Sequence, residues 1–455
     1  MDIDLLVIGG GAGGISAAQT AARRGASVTI VQEGPIGGDC TFTGCVPSKA
    51  LLAAAAEGAS FDEAMGRVRA AVGTIAANED DAAMAAQGVT VVHGRAELRD
   101  PRTAIVDGTA MRAGRIVVAT GAAPIAPPIP GLDGIDILTN ENVFDLRTRP
   151  GTLAVLGGGP IGCELAQALA RLGTQVSVVE AADQLLSKEE PEASAVVERA
   201  LRADGIAVRV ATSLERVEPT DDGARLHLSD GSNLDVERVL VAVGRRPVTD
   251  GLGLDEVGVG TDDRGFVRTD DTMATDVRGI YAVGDVTGRL PFTHAAARMG
   301  LIAATNALSS WRRLRPQRFD TAAIPWITFT DPEVAHVGMT EAEAVDAQGR
   351  VAVVPFDALD RAIVSGRTDG YLKLIAGPRR LLGRAAGGRV LGATVVGPAA
   401  GEVIHEVALA MRTGLFTGRL AQTVHAYPSW SVAVQIAAAQ LFFEVDGRSH
   451  RPAQP

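Results

Sequence analysis

Two stretches of this chain share one alternation of apolar and small residues. "LLVIGGGAGGISAAQTAARRGASVTIVQE" at 5–33 and "LAVLGGGPIGCELAQALARLGTQVSVVEA" at 153–181 each pass from an apolar run through a glycine cluster, then an alanine-rich run, into a second apolar run. Short apolar runs bounded by glycine read as buried strands, and the alanine-rich run between them as a helix. Each copy therefore predicts strand, glycine turn, helix, strand, the unit from which parallel sheets are built. Gly9 and Gly157 are 148 positions apart (157 − 9), so the repeat spacing is about one domain. "ALLAAAA" after Pro47 and "LPFTHAAARMGLIAATNAL" from Leu290 predict two further helices, and the proline-rich "AAPIAPPIPGLDG" from Ala122 predicts a linker.

The glycines of the two copies are spaced as a dinucleotide site requires. Gly9, Gly11 and Gly14, and again Gly157, Gly159 and Gly162, permit a tight turn, close approach of backbone to a pyrophosphate, and packing of helix on strand. The phosphates would then meet a helix N-terminus. An acidic residue about twenty positions further on should bind the ribose hydroxyls. In the second copy this is Glu180, whose carboxylate favours NAD(H) and repels the 2′-phosphate of NADP(H). In the first copy the position holds Gln32, with Glu33 next to it.

The chemistry is expected in "GGDCTFTGCVPSK", residues 37–49, which holds two of only three cysteines in 455 residues. Gly44 and Pro47 flank Cys45 and place it at the start of a helix, where unpaired backbone N–H groups favour a thiolate. Three cysteines are too few for a disulfide-stapled secreted scaffold, and Cys163 lies far off in the second glycine loop, so no resident metal is expected and Cys163 reads as a buried thiol. A net charge of −11 argues against a nucleic-acid partner. No apolar run is long enough to span a membrane, and "MDIDLLVIGGG" enters a strand without the pattern of a secretion signal, so a cytoplasmic location is expected.

With "ATGAAP" at 119–124 and "GIYAVGDVTG" at 279–288 added to the two fingerprints and the cysteine segment, the chain resembles the class I pyridine nucleotide-disulfide oxidoreductases, the family of dihydrolipoamide dehydrogenase, glutathione reductase and mercuric reductase. The resemblance implies an α/β fold with two Rossmann-like domains, for FAD and NAD, and an α+β C-terminal dimerisation domain. The implied layout is an FAD domain over 1–140, an NAD(P) domain over 141–264, a return to FAD over 265–320, a dimerisation domain over 321–448 and a disordered tail over 449–455. FAD is implied on the first fingerprint with Gly38, Ala119, Thr120, Gly121, Gly284 and Asp285, and NAD(H) on the second with Gly244. Lys49 is implied near the flavin and paired with Glu164, which also meets the nicotinamide. Cys40 and Cys45 are implied to form the redox disulfide, Cys45 facing the flavin as a thiolate and Cys40 exchanging with substrate.

One departure bears on the substrate. Family members acting on lipoamide or glutathione carry a C-terminal His-Pro with a glutamate five residues after the histidine. Here "TVHAYPSWSVAVQ" puts Tyr427 before Pro428 and Val432 at the glutamate position. A phenol with an ordinary pKa near 10 is a poor base at neutral pH, so Tyr427 or nearby His425, expected on the same side of an extended segment, would have to serve. "FDALDRAIVSGRTDGYLKL" at 356–374 is similar to the mercuric reductase branch, but the vicinal C-terminal cysteines of that enzyme have no counterpart after Cys163. The expected activity is hydride transfer from NADH through FAD and the cysteine pair to a small disulfide, thiol-linked or soft-metal acceptor, by a homodimer. The alternative is direct reduction of quinones or dyes at the flavin.

Overall fold

A computed structural model describes residues 3–309, 315–379, 383–384 and 387–455. The chain divides into two compact units. Unit 1 comprises Met1–Pro128, Ile137–Arg149 and Leu240–Phe319, and unit 2 comprises Ile129–Asp136, Pro150–Val239 and Asp320–Pro455. Leu240–Phe319 thus rejoins the first unit, and the second glycine loop and the C-terminal sheet fall together in the second.

Unit 1 is built on a parallel sheet. Val89–His93, Val28–Gln32, Ile3–Ile8 and Thr109–Val118 pair in that order, and Ile280–Ala282 joins the far side of Thr109–Val118. The strands buried in this sheet read as continuous apolar runs because both faces are covered. Leu6, Ile8, Ile116, Val118 and Ile280 are almost fully buried in one core. The helix Ala12–Ala22 packs on Thr293–Leu308 at a contact only glycine allows, since a Cβ on Gly300 would lie 2.1 Å from the Gly13 carbonyl oxygen.

Unit 2 repeats the first motif in Thr152–Leu156, Gln175–Val179 and Ala207–Arg209, all parallel, with the helix Pro160–Arg171 after the second glycine loop. Its C-terminal part is an antiparallel sheet in the order Trp326–Thr328, Glu333–Gly338, Arg389–Gly397, Tyr371–Gly377, Arg350–Pro355 and Arg451–Pro452. The helices Ala400–Thr413 and Val432–Gln440 bury Val403, Ile404, Val407, Val434 and Ala437 with Leu372, Leu374 and Val395 of the sheet. The tail after Arg448, expected to be disordered, instead adds the last strand, because Arg451 reaches the buried carboxylate of Glu341 and Gln454 donates its backbone N–H there. A sequence rich in polar and proline residues carried no periodic signal for this short pairing.

Candidate functional site

The redox segment lies wholly within unit 1. Cys40 sits in the short helix Gly38–Phe42 and Cys45 is the first residue of Cys45–Ala56. Positive φ at Gly37 (130°) and Gly38 (64°) turns the chain into the first helix, and an added Cβ on Gly44 would stand 2.8 Å from the Asp39 carbonyl oxygen, so the second turn is closed as tightly. Both cysteines are thiols in this structure, Cys40 half-buried and Cys45 exposed. The Cys40 S–H is raised from its ordinary pKa, first by its hydrogen bond with Cys45, then by burial and by the charge on Cys45. One sulfur is therefore held as a thiol against the other, which occupies the electropositive helix N-terminus. The Cys45 sulfur lies 3.3 Å from the Thr293 hydroxyl, at the first residue of Thr293–Leu308. Lys49 follows one turn after Cys45, half-buried on the same helix.

The glycine loops are shaped to admit phosphate. Gly9 has φ of 107°, and a Cβ on Gly14 would lie 1.9 Å from the Gly9 carbonyl oxygen. In unit 2 a Cβ on Gly162 meets the Gly157 oxygen at the same 1.9 Å, so both turns are equally intolerant of a side chain. The helices behind them are capped by Gly11 and Gly159 with no side-chain hydrogen bond, which leaves their first N–H groups for an anion. A dinucleotide fits both loops on these grounds. The twin positions at the strand ends behave alike: Gln32 Oε1 accepts from Gly10 N at 2.6 Å, and Glu180 accepts from Gly158 N at 2.5 Å and from Ala182 N at 2.7 Å. Both side chains are thus turned against the glycine loop, while Glu33 is exposed.

Around the first loop, Ala119 N donates to the Ile8 carbonyl, the Thr120 hydroxyl donates to the Val248 carbonyl, and Val248 N donates to the Gly121 carbonyl. Gly244 and Gly284 both have positive φ, at 150° and 77°. Between them stands a residue that motif reading passed over. Arg245 donates to the Asp39 carboxylate and the Ala122 carbonyl and lies 3.8 Å from Asp285. Burial pushes the Asp285 carboxyl up from its ordinary value and Arg245 partly opposes that. The signal was present as "GRRP" directly after Val243, but an arginine in that setting has no meaning until Asp39 and Asp285 are brought beside it.

In unit 2, Glu164 is buried and its carboxylate accepts from Phe329 N at 2.9 Å. Cys163 is fully buried, donates to the Gly158 carbonyl and is raised well above its ordinary pKa by burial, which suits an inert thiol. Among the described residues no cluster of histidine, cysteine and carboxylate groups could hold a metal ion, and no helix is long and apolar enough to cross a membrane.

Tyr427 and His425 do not share a setting, contrary to the same-side expectation. The Tyr427 side chain is 75% exposed and its hydroxyl donates to Asp360 at 2.8 Å. That hydrogen bond holds the phenol above its ordinary pKa. The His425 ring is only 7% exposed, with Nδ1 3.0 Å from the Thr423 carbonyl and Nε2 3.0 Å from the Glu406 carboxylate. Both ring nitrogens are thus engaged within this unit, one beside the Thr423 carbonyl and the other beside the Glu406 carboxylate. The irregular backbone between them, not a regular extended strand, separates the two side chains. His425→Ala is expected to leave disulfide turnover within about twofold of wild type while lowering stability by about 1–3 kcal/mol through the stranded Glu406. A large fall in turnover at unchanged thermal midpoint would show that the ring takes part in the chemistry.

Comparison with known proteins decides the family. The chain matches pyridine nucleotide-disulphide oxidoreductase over residues 3–300 and the dimerisation domain of that family over residues 324–438. It belongs to the pyridine nucleotide-disulphide oxidoreductases. It is 38% identical to a mercuric reductase of Streptomyces lividans over 96% of this chain and 95% of that one. It is 36% identical to a dihydrolipoyl dehydrogenase of Haloferax volcanii over 96% of this chain and 95% of that protein. Among solved structures, the HOCl-induced flavoprotein disulfide reductase RclA of Escherichia coli superposes with a TM-score of 0.87 at 29% identity, covering 96% of this chain and 99% of its own. LpdA of Mycobacterium tuberculosis gives 0.87 at 31% identity, covering 97% and 100%. This oxidoreductase is accordingly an FAD-dependent enzyme of the family that uses pyridine nucleotides, with two Rossmann-like domains and a C-terminal dimerisation domain.

Proposed function

We propose that the enzyme carries electrons from NADH, by way of FAD, to a Cys40–Cys45 disulfide and on to a small disulfide or thiophilic metal ion. The observation that carries this reading is the placement of Cys40 and Cys45 in two successive short helices joined by the tight turn at Gly44, with Cys45 the first residue of its helix. FAD, when bound, supplies the two-electron link between nicotinamide and disulfide. Opening the disulfide takes two electrons and one proton: Cys45 leaves as the thiolate that the helix N-terminus favours, and Cys40 keeps the proton. To reduce an acceptor disulfide, Cys40 loses its proton and attacks one sulfur. Cys45 then breaks the mixed disulfide and restores the Cys40–Cys45 bond; the proton lost by Cys40 goes to one leaving thiolate and a second proton, from water, to the other, so two thiols are released.

A thiophilic metal ion is the favoured acceptor. Its capture by two sulfurs requires no proton on a leaving thiolate, and the two side chains expected to give one, Tyr427 and His425, make their contacts with Asp360 and Glu406. The mercuric reductases among the relatives and the Cu(II) complex of RclA support that class. Glu180 selects NADH over NADPH, Lys49 and Glu164 serve the flavin and nicotinamide, and the exposed apolar side chains of the C-terminal domain, Val424 at 91% and Val364 at 73%, are buried in a homodimer.

Anaerobic titration with NADH and NADPH in parallel, following the flavin spectrum and counting thiols, tests this reading. The first equivalent of NADH is expected to expose two new thiols, with NADPH slower by about an order of magnitude or more. Flavin reduction without new thiols would replace it with direct reduction of quinones or dyes at the flavin.

A further inference from the structure

The chain has a net charge of −11, yet among the described residues no carboxylate lines one cavity in unit 2. It encloses about 270 Å³ and is lined by residues that include Gln348, Arg350, Arg384, His450 and Ala453. Arg350 opens the strand Arg350–Pro355, and the tail strand Arg451–Pro452 pairs with it, so the C-terminal tail builds one side of the cavity and sets His450 there.

Arg350 is fixed in place by its terminal nitrogens. Nη2 donates to the Gly387 carbonyl at 2.6 Å and Nη1 to the Leu441 carbonyl at 3.3 Å, while its buried Nε finds no hydrogen-bond partner. His450 Nδ1 lies 3.1 Å from the Gln440 carbonyl and acts there as donor, which leaves the Nε2 lone pair facing Arg350 Nη1 at 3.5 Å. Arg384 is an exposed residue lining the same cavity, and its Nη2 donates to the Gln348 carbonyl at 3.4 Å. Burial, and then the charge on Arg384, push Arg350 down from its ordinary value. Two guanidinium groups that repel each other beside a cavity without carboxylates are stabilised by an anion, and their planar forks match a tetrahedral oxyanion.

We propose that this cavity binds a phosphate-type dianion between Arg350 and Arg384, either free orthophosphate or the phosphomonoester of a small molecule. The volume supports that class. It is slightly below the roughly 300–1,000 Å³ of ordinary small-molecule pockets, ample for a phosphate with a small substituent and too small for a dinucleotide. None of its lining residues belongs to the glycine loops or the cysteine segment, so the site is separate from the redox machinery.

The test is calorimetric titration of the FAD-loaded enzyme with inorganic phosphate, and separately with AMP, against chloride at matched ionic strength. Saturable binding of one phosphate or one AMP per chain is expected, and which of the two binds identifies the source of the oxyanion. Arg384 is exposed and its replacement spares the fold, whereas Arg350 ties three segments together. Arg384→Gln is therefore expected to weaken binding at least about tenfold and Arg384→Lys to stay within about threefold, both with unchanged NADH oxidation. No saturable binding of either probe, or equal affinity in Arg384→Gln and wild type, would overturn the proposal.

Discussion

Cys40→Ser is expected to lower NADH-driven reduction of disulfides on the order of a thousandfold or more, while reduction of a dye that takes electrons directly from flavin stays within about twofold of wild type. The split follows from the division of labour in the cysteine segment. Cys45 stands at the helix start beside the Thr293 hydroxyl, whereas Cys40 is the sulfur whose proton is held by its neighbour. A serine hydroxyl in place of Cys40 removes the thiol proposed to exchange with substrate without changing the turn through Gly37, Gly38 and Gly44 that positions Cys45. Steady-state rates with a soluble aromatic disulfide and with a dye, on flavin-replete protein, check it. Retention of disulfide turnover would take Cys40 off the electron path. Equal loss of both activities would show damage to the flavin site instead of loss of an exchange thiol.

Lys373→Met is expected to cost about 3–5 kcal/mol of stability, the range for removing one partner from a buried ion cluster. The Lys373 ammonium is 2% exposed and lies 2.9 Å from Glu341, 3.1 Å from Glu192 and 3.2 Å from Glu190. Arg451 of the tail strand supplies the second positive charge, on Glu341. With the lysine gone, Glu190 and Glu341 stay buried with one cation between them. The pH dependence identifies the cluster. Burial pushes Glu341 up, but hydrogen bonds from Arg451 and Lys373 outweigh it and bring the carboxyl down to about 2. Its stabilisation is therefore present above the ordinary value of 4.5 and is lost as pH falls toward 2. Glu189 behaves in the opposite sense. Burial raises it to about 7, against a hydrogen bond from the Trp326 indole, so its contribution is full below 4.5 and is lost as pH rises through 7. Thermal midpoints from pH 3 to 8 should show both limbs in wild type, and in Lys373→Met the acid limb should move to higher pH. A variant with an unchanged midpoint and an unchanged acid limb would mean that the cluster adds nothing to stability.

The parts of this enzyme that could be read early are those whose physics is local. A glycine whose Cβ would overlap the carbonyl of its own turn, as at Gly14 and Gly162, is required by the backbone alone, and the strand and helix on either side follow from unbroken apolar and alanine-rich runs. The position of Cys45 at a helix start was equally local, because Gly44 and Pro47 decide where that helix begins. Arg245 was not legible in this way. Its partners, Asp39 and Asp285, come from segments about 206 and 40 positions away (245 − 39 and 285 − 245), and a side-chain ion pair leaves no periodic trace in a sequence.

The C-terminal segment divides along the same line. That Tyr427 precedes Pro428 and that a valine, Val432, follows five positions after the tyrosine is a property of the sequence itself. That the Tyr427 hydroxyl is spent on Asp360, and that the His425 ring is turned inward between Thr423 and Glu406, depends on elements far apart in the chain meeting in space. The tail strand, the Lys373 cluster and the arginine-lined cavity are of the same kind. The sequence by itself determined the two nucleotide loops and the redox pair, because steric limits and helix termini act between near neighbours. Tertiary structure alone decided which charges meet, because burial and pairing depend on distances that the order of residues does not contain.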